Sequence, residues 1–378
     1  MTVLTIIHYS HEKLLMKYAF FLLFSVPLVF TGCNNGKDSD YLPKANGKPG
    51  EILVIVDSLQ WKGPVGKELK KIFRAQVPAL TQDEPMFTVI YAHPEKNMKL
   101  LTSLRNLVYV FTLDQNSRGS RTLKQQISPE TIKRIQQDTS FYMSILKDEY
   151  AKGQEVMYLF GDTEANLIRH LEKSGKKIID HFNELEKQRL AKSLFTKQST
   201  QGVAAFLRRE QQIEFSVPVG YKLADRRNDF VWLRQIDPDK DKDIFITWKP
   251  YDSEYQFLPD SLIAWRDATA KKYLFEDPNN PISYLVTERE DADIFSQQIN
   301  FNGHFAMEIR GLWRTNNRTM GGPFLGYAIA DEPRGLIYYI EGFAFAPGKD
   351  KREFMRELET ILWSFKTSAD LKPQASAQ

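Results

Sequence analysis

Three arginines at a four-residue interval, Arg310, Arg314 and Arg318, form the most suggestive constellation in this 378-residue chain, with Trp313 among them and Gly321-Gly322-Pro323 behind. Even spacing on a strand puts Arg310 and Arg314 on one face, and Arg318 joins them from the following turn. Planar guanidinium groups hold carboxylates and phosphates through paired hydrogen bonds, so the trio is a candidate binding face for an anionic ligand. The plainer alternative is a wet sheet face on which Glu308 pairs its neighbours, an arrangement of small energetic weight.

Two carboxylates are placed where catalytic acids often sit. Asp57 and Asp162 each follow an apolar run, and ligand crevices open at the C-terminal ends of parallel strands. With His93 as a possible third member, they would serve a hydrolase or transferase; otherwise they cap helices and form turns. Asp237, Asp239, Asp241 and Asp243 imitate a calcium loop, yet Lys242 stands where that loop needs Gly and Trp248 where it needs Glu. Beyond residue 33 the histidines are His93, His170, His181 and His304, and none forms a His-Glu-x-x-His pair. Ser144-Ile-Leu-Lys147 and Ser174-Gly-Lys-Lys177 have the Ser-x-x-Lys spacing but lack a companion Lys-Thr-Gly, and Ser144 is expected inside a helix. Lys62-Gly63-Pro64-Val65-Gly66-Lys67 is too short for a phosphate loop and reads as a Pro-initiated helix. No catalytic residue, metal site or cofactor is expected, and the balance favours a protein that is not an enzyme.

The elements needed to position these residues fall into two groups. In 51–200, apolar runs at Glu51–Asp57, Phe87–Ala92, Leu107–Leu113 and Val156–Phe160 suit strands buried on both faces. Between them, Val65, Leu69, Ile72 and Phe73 fall at helical spacing, as do Ile132, Ile135, Thr139, Met143 and Leu146 behind Ser128-Pro129. A third helix starts near Asp162, Gly175 is expected to interrupt it, and helix resumes through Ile178, Phe182 and Leu185. Strand–helix alternation implies an α/β layer, at least partly parallel. The composition turns small and polar at Gln198–Gly202, the expected boundary.

In 201–368 the pattern is that of an antiparallel α+β domain. Strands are expected at Ile213–Val219, Phe230–Ile236, Asp243–Trp248 and Ser283–Val286, with a helix over Ser261–Tyr273. Phe305, Met307, Ile309 and Trp313 alternate with Glu308, Arg310 and Arg314, and Phe324–Ala330 and Leu336–Phe345 complete a meander. A last helix, opened by Asp350 and Glu353 as a variant capping box, buries Phe354, Leu358, Ile361, Leu362 and Phe365. Residues 369–378 are a polar tail.

The N-terminus carries an address. Met16 to Cys33 reads MKYAFFLLFSVPLVFTGC: one lysine, an apolar run from Ala19 to Phe30, and small residues before the single cysteine. That run is too short for a spanning helix, which needs roughly 20 apolar residues, and fits a secretory signal. Thr31-Gly32-Cys33 resembles a lipobox, with Phe30 where Leu is usual; the resemblance implies residues 1–32 are removed (translation starting at Met1 or Met16) and Cys33 becomes the acylated first residue. Residues 33–50 then form a flexible tether to the outer membrane, facing the periplasm or the cell surface. Acylation would leave no thiol for disulfides, and a formal charge of only +3 gives no footprint for nucleic acid.

The order of elements in the second half, opened by Phe215-Ser-Val-Pro-Val-Gly-Tyr221 and closed by Ser364-Phe365, resembles the domain shared by Mog1 and the photosystem protein PsbP. That likeness implies an antiparallel sheet flanked by helices and a role in binding or assembly. With Pro49-Gly50-Glu51, Arg105-Asn106 and Leu362-Trp363-Ser364-Phe365, the whole chain resembles a family of Bacteroidetes lipoproteins of unknown function. The implied partners are the membrane, through the lipid, and an envelope protein or anionic ligand.

Overall fold

The computed structural model describes residues 42–94, 101–196, 202–237, 240–274 and 282–371. Cys33, the signal segment, most of the 198–202 boundary, Asp239 and residues 372–378 lie outside these stretches.

The first half is built on a five-stranded sheet. Its strands are β1 (Glu51–Val56), β2 (Thr88–Ala92), β3 (Asn106–Thr112), β4 (Met143–Lys147) and β5 (Glu155–Gly161), in the order β2-β1-β3-β5-β4. All neighbours are parallel except β4, which runs antiparallel to β5. The uninterrupted apolar runs have the expected cause: helices cover both faces. Ile52, Val54 and Val56 point to one core, shared with α2 (Pro64–Phe73) and α5 (Glu164–Leu194). Leu53 and Ile55 point to the other, shared with Leu123 of α3 (Arg118–Lys124) and Ile135 of α4 (Pro129–Gln137). The short α1 (Ser58–Lys62) precedes α2, whose Pro64 follows Gly63 as expected.

Two expectations are corrected here. The stripe from Ile132 to Leu146 is not one helix: α4 ends at Gln137, and Ser144 lies on β4 opposite Tyr158. Asp138 accepts hydrogen bonds from the Ser140 backbone and hydroxyl, a local turn that competes with another helical bond. Nor does Gly175 interrupt α5, which runs unbroken for 31 residues. A Cβ at Gly175 would stand 2.8 Å from Ile72 Cγ1, so the glycine lets α2 and α5 approach closely.

After α6 (Val203–Gln211), the second half is an antiparallel sheet ordered β10-β11-β12-β13-β8-β7-β6, with β9 also paired to β11. The strands are β6 (Lys222–Arg227), β7 (Phe230–Asp237), β8 (Lys240–Pro250), β9 (Leu285–Thr287), β10 (Phe295–Phe301), β11 (His304–Thr315), β12 (Gly321–Asp331) and β13 (Leu336–Phe345). One face packs on α7 (Pro259–Tyr273) and the other on α8 (Arg352–Leu362). The chain thus joins an α/β half to an α+β half, the expected fold class. The strand expected at Ile213–Val219 is absent as such. Glu214 makes an isolated bridge to Lys366, and Ile213, Phe215 and Val217 are buried by side-chain packing.

The described residues from 43 onward form one compact unit, and α8 is central to it. Met355, Leu358, Ile361 and Leu362 are buried against the antiparallel sheet, about 1.5–3 kcal/mol for each large apolar side chain removed from water. Asp350 does not cap this helix. The carboxylate of Glu84, from the first half, accepts from the backbone N–H groups of Lys351 (2.7 Å) and Arg352 (2.8 Å), fixing orphan donors of the first turn. Arg352 and Arg356 then donate to the carbonyls of Pro85 and Met86.

Candidate functional site

A cleft of about 710 Å³ lies where the halves meet, and each wall comes from a different half. α2 and α5 supply Ile72 and Ile179; β10 supplies Phe295 and Ile299; α8 and its end supply Met355 and Trp363. Ile72, Ile179 and Met355 reach the cleft from the margins of the helix–sheet cores to which they belong.

Charge around this apolar floor is balanced, with six basic and six acidic side chains. The best connected form a chain of ion pairs between the halves. Lys187 of α5 meets Glu184 and Glu359, each at 3.1 Å, and Glu359 of α8 accepts from Arg310 of β11 at 3.0 Å. Arg310 also binds Glu308 on its own strand. Burial would raise the Glu359 carboxyl, but Arg310 and Lys187 outweigh it and hold it down to about 2. Lys187 also sits over the Trp363 ring, whose N–H donates to the Tyr327 hydroxyl.

Of the three arginines read from the sequence, Arg314 and Arg318 share Glu290, whereas Arg310 stands apart with Glu308 and Glu359. Only Arg310 lines the cleft. Arg314 binds Glu288 at 2.7 Å, and Arg318, in the turn, binds Glu290 at 2.6 Å. All three guanidinium groups are engaged by the chain's own carboxylates. Trp313 is buried, its N–H donating to the Ala344 carbonyl.

The two candidate acids are separated by β3, which lies between the strands that carry them. Asp57 is 2% exposed and caps α1 through the Leu59 amide, with His93 Nε2 at 3.5 Å. Burial works to raise its carboxyl, but hydrogen bonds from Ser117 and Leu59, with His93 alongside, keep it below the usual range. A Cβ on Gly119 would meet its Oδ2 at 2.6 Å, so α3 closes over the group. Asp162 turns into the start of α5, accepting from Asn166 (2.6 Å) and the Thr163 amide (2.8 Å), and these bonds lower its carboxyl.

The remaining candidates disperse. Asp243 is buried and accepts from Trp232 and Arg234, and Asp241 pairs with the same Arg234, so a guanidinium occupies the space between these two carboxylates. His170 contacts the Thr139 carbonyl, His181 contacts Glu155, and His304 contacts Asp370. Among the described residues, no group of three or more potential metal ligands occurs. Sequence reasoning missed β10, which lines the cleft. The signal was Asn302-Gly303, both at positive φ (51° and 97°), a pair that favours a two-residue hairpin turn.

Residues 45–195 match the family described as Domain of unknown function (DUF8532), and residues 201–364 match Domain of unknown function (DUF4837). No curated protein matches the chain. Among solved structures, the Ran-binding protein Mog1p of Saccharomyces cerevisiae aligns with 41% of this chain and 90% of its own, at 9% identity and a TM-score of 0.27. A point mutant of Mog1 aligns over the same shares at 8% identity and 0.27. A Pseudomonas aeruginosa protein described as a putative regulator aligns over 43% and 91%, at 13% identity and 0.24.

Proposed function

We propose that this protein is a non-enzymatic binding or assembly module of the cell envelope, held at the outer membrane by a lipid on Cys33. Its binding site is the cleft between the halves. The observation that carries this reading is the cleft's make-up: an apolar floor under a balanced set of charges whose cations are already paired. Such a surface favours an uncharged, partly apolar partner. An anion would have to displace Glu308 and Glu359 from Arg310 and leave buried carboxylates unpaired, at a cost of several kcal/mol. The alternative, a carboxylate-dependent hydrolase, would rest on the Asp57–His93 contact, but α3 covers that carboxylate.

The test is site-specific photo-crosslinking in intact cells, with the reactive side chain placed at Lys71 on the cleft or at Leu146 on β4. The reading expects discrete adducts from position 71 only. It also expects Cys33→Ala to lose its acyl mass and leave the membrane fraction. Equal labelling from both positions would remove the cleft from the reading. A Cys33→Ala chain that stays membrane-bound would remove the anchor.

A further inference from the structure

Among the described residues β10 is an edge strand, and its Ser296, Gln298 and Asn300 are exposed. Among the described residues its only strand neighbour is β11, and β9 occupies the same side of β11 further along, opposite Trp313–Thr315. The ladder determines which backbone groups face outward. Asn302-Gly303 makes a two-residue turn, so the flanking pair Phe301 and His304 exchanges both amide bonds. Alternation along the ladder makes Ile299, Gln297 and Phe295 the other bonded partners of β11. Ser296, Gln298 and Asn300 then direct their N–H and C=O groups away from it.

The opposite edge of the same sheet is defended. β6 carries Lys222, Asp225, Arg226 and Arg227, with a register shift between Leu223 and Asp225. Charge and bulges are the usual means of preventing edge pairing. β10, with the sequence FSQQINF, has no charge, no proline and no shift in register. Its odd-numbered side chains, Phe295, Gln297 and Ile299, face the cleft, whereas Gln298 lines a separate cavity of about 1050 Å³ with Tyr255, Leu258 and Phe305.

We infer that the cleft's partner is an extended, uncharged polypeptide segment that pairs with the open edge of β10 and directs its alternate apolar side chains into the cleft. This rests on the cleft being the binding site and adds the class of partner. Main-chain hydrogen bonds to Ser296, Gln298 and Asn300 supply affinity, and the floor formed by Ile72, Ile179 and Met355 selects apolar side chains. Charge balance in the cleft disfavours a strongly charged segment.

The experiment selects a phage-displayed library of linear 12-residue peptides against the full chain in mild detergent. The most enriched clone is then measured as a fluorescent synthetic peptide. Enriched sequences are expected to alternate apolar and uncharged polar residues. Gln298→Pro, which removes an outward N–H and touches no β11 bond, should weaken binding at least tenfold. Ile299→Ser should weaken it through the cleft. Methylating alternate peptide nitrogens should abolish binding, a readout that leaves the protein unaltered. If Ile299→Ser weakens binding while Gln298→Pro and the methylated peptide bind normally, strand pairing is wrong and the cleft reading stands. If no clone is enriched, or if only Phe305→Ser weakens binding, both fall. Concentration-dependent dimerisation abolished by Gln298→Pro would make a second copy the partner and overturn the inference.

Discussion

The carboxylate of Glu84 lies 2.7 Å from the backbone N–H of Lys351, so a loop of the α/β half caps the last helix of the antiparallel half. Replacing Glu84 with Ala should cost about 1–2 kcal/mol, the usual value of an N-cap with favourable charge. Glu84→Gln should recover part of it, because an amide oxygen still accepts. Urea denaturation of the three proteins checks this, and identical midpoints would show that α8 holds its place without the cap.

Glu359 links stability to pH. Its folded carboxyl titrates at about 2, below the unfolded value near 4.3, so its contribution is complete above about pH 4.5 and is lost as pH falls towards 2. The difference corresponds to roughly 3 kcal/mol. Glu359→Gln should be less stable by about that amount at pH 7, and the gap should close near pH 2. A gap independent of pH would mean that packing, not charge, accounts for the loss.

Arg266 and Glu341 form a fully buried pair beneath α7, at 2.9 Å, with the Tyr339 hydroxyl donating to the same carboxylate at 2.7 Å. Arg266→Met should cost about 3–5 kcal/mol because it leaves a charge buried without its partner. Adding Glu341→Leu should restore at least half. Calorimetric midpoints of the single and double variants decide between a pair that stabilises and one that is tolerated.

At Gly175, a methyl group would gain about 1 kcal/mol of helix propensity but enter the space of Ile72. Gly175→Ala should therefore destabilise the native chain by about 1–2 kcal/mol, as overpacking does. In an Ile72→Ala background the same change should stabilise. The sign reversal, measured in a double-mutant cycle, is the expected result.

Much of this architecture could be read from periodicity. Continuous apolar runs gave β1, β3 and β5 because parallel strands are buried on both faces, and alternation gave β11 because one face meets the core. β4 escaped because Met143 and Leu146 also fit a helical stripe, and the turn at Asp138 is a local hydrogen-bonding event. β10 escaped because its apolar residues are sparse, although Asn302-Gly303 marked the hairpin.

The candidate site was less legible. Regular spacing grouped Arg310, Arg314 and Arg318, but their carboxylate partners come from β11, α8 and the segment after β9. Glu359 and Lys187 lie 49 and 123 positions from Arg310, and no local pattern links them. A cleft between two halves is a property of long-range packing, and a linear reading finds only its fragments.

The helix that joins the two sheets follows the strands of both in chain order, so a ribosome delivers it after them. Until residues 352–362 emerge, the α/β half has no partner for Glu84, and one face of the antiparallel sheet lacks its cover. Contacts spanning more than 260 residues make this completion slow as well as late. Maturation is therefore close to all-or-none. A chain terminated ahead of Arg352 would be left with a raw apolar face on the antiparallel sheet and an idle carboxylate at Glu84, a target for proteolytic quality control rather than a working half.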